Sequence, residues 1–353
     1  PLEREERSFF SDAPPIQISP LWGPAELAEA LIASVRADDR ARLLNRLGEV
    51  KPRNDKDLRG LLNLYSREDS AARLKVEASL ARLSPDDAGL APFFRSLLED
   101  EEPVFQIFGL LGAARVRDAR SNELVRALAE KPFPAPEPSF GLSPADANRW
   151  TLQYNALRVL AEWEGEKALP LVLKRSKEAP GVAEIAAVLF WEKSLPDFVS
   201  WSESRQAEDR DRAAKAWAAP VPRAALSATK ARLWELALDR RLKVETRHRA
   251  AIKLGVCAEE ADVDRLLAER AKAEGKARAL LDAGLFASRH PKAVPVLTEY
   301  AKTSADPVAR AGAMFQLRSM LPFAEYRELL RWAAKNDPDP ENRANAAAEL
   351  RTP

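Results

Sequence analysis

One cysteine, two histidines, two methionines and four tyrosines among 353 residues close off several chemistries at once. Cys257 alone excludes intrachain disulfides and cysteine-based zinc clusters, although a lone thiol does not fix the redox compartment. His248 and His290 are too few for a histidine-rich metal site, and His290 precedes a proline at an expected helix start. Only 13 glycines are present, and none forms a phosphate-cradling loop. Apolar runs such as "IAAVLFW" are far too short to span a bilayer, so a soluble chain is expected. The formal net charge of +1 gives no global attraction to nucleic acid or an anionic surface, so any such binding has to be local. Alternating β-branched runs are also missing, and with them the case for strands.

What the chain has in quantity is Ala, Leu, Arg and Glu, the composition of an almost wholly helical fold. Its 26 prolines forbid long uninterrupted helices but suit many short ones, at first turns and in loops. The stretch "ADPVARAGAMFQLRSM", residues 305–320, shows how. Asp306 is placed to cap free backbone N–H groups, and Pro307 fits the first helical position, where its missing N–H costs nothing. Ala309, Ala313, Leu317 and Met320 share a face, and Gly312 with Ala313 is expected to let another backbone approach closely.

The same pattern recurs. Asp339, Arg343, Ala346 and Leu350 repeat it, as do Asp69, Arg73, Val76 and Leu80. Arg247, Ala250 and Leu254 repeat it without the acidic cap, and Glu274 with Arg278, and Arg40 with Leu43 and Leu47, are further copies. From Arg40 to Arg73 is 33 residues, and from Arg247 through Arg278 and Arg310 to Arg343 the steps are 31, 32 and 33, the length of two short helices plus turns. In the centre Gln106 and Gln153 stand where arginine is expected. Between the copies lie amphipathic segments with Pro92, Pro170 or Pro295 near their starts. Neither helix of such a unit can bury its apolar stripe alone, so consecutive pairs must stack.

The Asp-Pro-x-x-Arg-x-x-Ala-x-x-x-Leu pattern resembles the HEAT repeat in its short bacterial, phycobilisome-lyase-like form, over most of residues 24–351. That resemblance implies an all-α, right-handed superhelix of about ten helix pairs with a concave binding surface, and it implies no reaction. Residues 1–23 read as an irregular tail or cap, and residues 24–353 as the array, interrupted at 131–147 by a Pro-rich insertion whose five prolines argue against helix and strand. Pro1 stands first without an initiator Met or an apolar leader. A removed leader and a trimmed start both account for this, and the expectation leans to the cytoplasm over export.

No catalytic motif, cofactor site or metal site is found. The repeating arginines have two readings, an internal ladder to neighbouring units or a row of groove contacts to phosphates or acidic peptides. Six of the eight tryptophans fall between residues 150 and 234, where the repeat template weakens. Large aromatics at helical spacing are mostly core filler, yet here they mark where a contact surface would break the pattern. The expected function is therefore a non-enzymatic scaffold holding a protein or peptide. Its candidate contacts are Trp191, Trp201, Trp217, Trp234, Arg240, Arg241, Arg247 and Arg249. The alternative is a nucleic-acid-binding or DNA-repair protein using residues 230–253, where eight basic residues face three acidic ones. A lyase-like or maturation factor holding a chromophore is a third reading, implied by the resemblance alone.

Overall fold

The computed structural model describes residues 15–34, 36–67, 69–135 and 142–351. Among the described residues every regular element is an α-helix or a short 3-10 turn, and no strand occurs. The all-α expectation holds, with sequence-adjacent helices packing in pairs. Helix starts carry the expected chemistry. The Asp306 carboxylate accepts from Val308 N at 3.0 Å, Asp69 accepts from Ala71 N and Ala72 N, and Pro24, Pro92, Pro103, Pro170, Pro295 and Pro307 sit in first turns.

The chain divides into two compact units, Pro1–Ile185 and Ala186–Pro353. In the first, α1 (Pro24–Ala33) packs on α3 (Asp55–Tyr65), and α2 (Ala37–Leu47) on α4 (Ser70–Leu80). A methyl group on Gly60 would lie 2.8 Å from Ala25 Cα, so only glycine permits the first contact. Helices α5 (Ala91–Leu98) and α6 (Pro103–Val116) pack as closely, with Phe94 lying over Gly112. Then α7 (Asn122–Glu130) packs on α8 (Pro144–Glu164), followed by the short α9 (Leu169–Arg175). The described part of the expected tail is tied down: Ile16 N donates to Asp39 Oδ2 at 3.2 Å, and Arg46 reaches Pro20 O.

In the second unit, α10 (Ala183–Glu203), which begins just before the boundary, runs across a kink at Phe190 (φ −134°, ψ 35°) with Pro196 inside it. Then come α11 (Ala207–Ala218), α12 (Leu226–Leu238), α13 (Val244–Val256), α14 (Glu260–Lys272), α15 (Gly275–Ser288), α16 (Val294–Thr303), α17 (Pro307–Leu317), α18 (Phe323–Asn336) and α19 (Pro340–Arg351). The pairs α12 with α13, α14 with α15, α16 with α17 and α18 with α19 follow the unit read from the sequence, and α13 also packs directly on α15.

Three expectations need correction. Of the Pro-rich stretch 131–147, residues 136–141 lie outside the described residues, but Pro144 opens α8 instead of excluding helix, with Ser143 Oγ accepting from Asp146 N at 3.1 Å. The expectation of short helices also fails once: α8 runs 21 residues with its single proline in the first turn, whereas α10, of the same length, is interrupted by the kink at Phe190. Finally, Gly312 admits no neighbouring backbone: a methyl group there would meet nothing within 4 Å. The close approach is made by Gly255 and Gly284 instead, where a methyl on Gly255 would stand 2.0 Å from Gly284 O.

Of the two arginine readings, the internal ladder is what forms. Arg310 grips Asp337 with two bonds, Nε to Oδ2 at 3.0 Å and Nη2 to Oδ1 at 2.6 Å, and also donates to Ser304 O. Arg73 bonds Tyr65 O, Arg247 bonds Ala237 O, Arg343 bonds Asp337 O and Pro338 O, and Arg40 pairs with Asp69. Arg278 makes a longer pair, 3.5 Å to Glu299. Gln106 performs the same task with an amide, donating to Leu98 O and Asp100 O.

Candidate functional site

The tryptophans singled out as contacts lie largely inside the second unit. Trp191 is 1% exposed and meets Phe198 and Trp217 edge to face, at centroid distances of 5.6 and 6.1 Å. Trp217 is buried and donates its indole N–H to Ser202 Oγ at 3.0 Å, while Trp234 is buried beneath the Arg265 guanidinium, 4.2 Å from its centroid. These three rings are core and offer no surface. Trp201 is half-buried, and Arg212 lies 5.2 Å over its face.

The basic segment is mostly engaged within the chain. Lys230 pairs with Glu259 and Asp262, Arg232 with Glu235, and Arg241 with Asp239 through two bonds. Asp239 is held down at about 2 by that pairing, so it stays ionised beside Arg241. Arg247 is turned to a loop carbonyl, and Lys253 is buried, donating to Ala219 O at 2.5 Å under the Trp191 ring. Arg240 is exposed, while burial lowers the pKa of the half-buried Arg249. The eight expected contacts thus split into ring core, intramolecular pairs and scattered surface. Cys257 is no activated nucleophile either, because burial pushes its thiol up despite Lys253 one turn away.

A surface that the sequence did not single out lies around α17. On one side, Val244 and His248 of α13, Lys276, Leu280, Ala283 and Phe286 of α15, Tyr300, and Ala309, Gly312 and Gln316 of α17 line an open apolar groove of about 380 Å³. Phe286 and Tyr300 form its edge-to-face floor at 4.9 Å, and the open space over Gly312 is part of it. Desolvation lowers the His248 pKa, so this imidazole is neutral at pH 7 and Lys276, exposed and without a partner among the described residues, is the groove's free cation. Asp282 in the wall is neutralised by Arg270.

On the other side, Met314, Phe315 and Arg318 of α17, Tyr326, Leu330 and Ala333 of α18, and Asn345, Ala346 and Glu349 of α19 line a second groove of about 190 Å³. The Tyr326 hydroxyl donates to Glu349 Oε2 at 3.2 Å; burial and that carboxylate push its pKa up to about 12. Helix α17 is the ridge between the two grooves, and it carries Val308 and Phe315 at 77% and 73% exposure, with Phe323 exposed at the start of α18. Apolar side chains displayed beside apolar grooves are the equipment of a docking surface.

Compared with models of known protein families the chain matches none, and no curated protein matches it.

Proposed function

We propose that the protein is a non-enzymatic helical-repeat scaffold of the HEAT-like kind, its pairs winding in the right-handed sense, that holds a short segment of a partner protein along α17. The observation that supports this reading most is the display of Val308 and Phe315 on a ridge flanked by two apolar grooves. In a helical array the surface residues have no packing reason to be large and apolar, and single exposed examples are common; two on one ridge bordering two grooves are not. The occupant is an amphipathic segment, with apolar side chains for the grooves and an acidic group for Lys276.

Selection of displayed peptides against the full chain tests it. Enriched sequences are expected to carry apolar residues at helical spacing with an acidic residue, and to lose binding on Phe315→Asp while binding Leu74→Asp normally. Leu74 is an exposed leucine of the first unit and serves as the control. No enrichment, or binding unaffected by Phe315→Asp, overturns the reading.

A further inference from the structure

Another cavity, in the first unit, is of a different chemical kind. Leu83, Ser84 and Pro85, then Ala114, Arg115, Arg117, Ala119 and Asn122, and finally Glu162 and Trp163, line a space of about 750 Å³, within the range of small-molecule sites. Arg115 in the last turn of α6 and Arg117 at its C-cap are exposed, and neither guanidinium has a partner among the described residues. Their neighbour Asp118 is engaged elsewhere, bound by Arg95 through both oxygens and by Ser121 Oγ at 2.6 Å. The two cations therefore face the cavity uncompensated, apart from Glu162, which lies 3.9 Å from Arg158.

A further feature says what would sit there. Half-buried Trp163 supplies a flat ring. Arg117 also occupies the left-handed region, φ 53° and ψ 50°, at a helix end where glycine is the usual residue.

From these residues we infer that the cavity binds a nucleoside monophosphate. Two unpaired guanidiniums match a doubly charged phosphate, which a single carboxylate would not use fully. The indole provides a stacking plane for the base. Inorganic phosphate uses only the first of these contacts and an uncharged nucleoside only the second.

Titration calorimetry of the full chain at low salt with AMP and CMP tests the assignment. Saturable binding at one site per chain is expected, with inorganic phosphate and adenosine each at least about tenfold weaker, the loss expected for a missing charged hydrogen bond. Arg117→Gly suits the left-handed backbone, so this variant keeps its melting temperature while losing at least about tenfold in affinity; Arg115→Ala behaves likewise. The proposal is overturned by no saturable heat for either nucleotide, by phosphate binding as tightly as AMP, by a short single-stranded oligonucleotide binding where AMP does not, or by AMP affinity unchanged in folded Arg117→Gly.

Discussion

Gly255 and Gly312 both sit inside short helices of the second unit, yet opposite surroundings give them opposite roles. At Gly255 an added methyl would collide with the Gly284 carbonyl and Ala287 Cβ, so α13 and α15 would have to separate. At Gly312 the methyl would enter open space. Glycine inside a helix costs roughly 0.5–1 kcal/mol relative to alanine wherever the alanine fits. Gly312→Ala is therefore expected to stabilise the chain by about that amount. Gly255→Ala is expected to destabilise it by about 2 kcal/mol, the cost typical of overpacking. Chemical denaturation of the two variants checks both signs, and equal effects would show that the groove beside α17 is closed in solution.

The recurring element is a pair of helices joined by a side chain that reaches back into a loop, and most of it was legible in the sequence. The arginine spacing marked the pairs, and their guanidiniums bind the loops and acids expected of them because a helix end leaves carbonyls that need donors. Gln106 was recognisable only by position, since an amide serves that need less visibly. The grooves were not legible. Periodicity tells which face of a helix is buried in its own pair, but the gap left between neighbouring pairs depends on contacts such as Gly255 on Gly284, which no spacing rule specifies. For the same reason Trp191, Trp217 and Trp234 could be counted but not placed, because burial is decided by how pairs close over them.

The most deeply buried ion pair among the described residues is Arg310 with Asp337, each side chain 3% exposed. Arg310 holds the Asp337 carboxyl below its ordinary value, while the unfolded chain leaves it there. The joint's contribution is thus complete at neutral pH and is lost as pH falls through the lowered, folded-state pKa. Asp337→Asn is expected to lower the melting temperature at pH 7 and to flatten its decline in acid. Parallel melting curves from about pH 2 to 7 check this, and an unchanged acid limb would show that the pair does not form.

Across the whole molecule, 55 basic and 54 acidic side chains nearly cancel, and the pairing is local as well as global. The segment that looked basic in sequence, residues 230–253, has Lys230, Arg232 and Arg241 on carboxylates, Lys253 buried, and Arg247 on a carbonyl. Affinity for nucleic acid grows with the number of phosphates a protein neutralises, and each cation already paired must first give up its carboxylate. With Lys243 held on the carbonyls of Glu203 and Ser204 and Arg249 half-buried, the exposed Arg240 cannot supply that sum. Duplex DNA is therefore expected to show no mobility shift with this protein even at low salt, and Arg240→Glu with Arg241→Glu is expected to change nothing. Binding that weakens steeply with salt and disappears in that double variant would restore the nucleic-acid reading, because it would mean that the Asp239 pair opens in favour of phosphate.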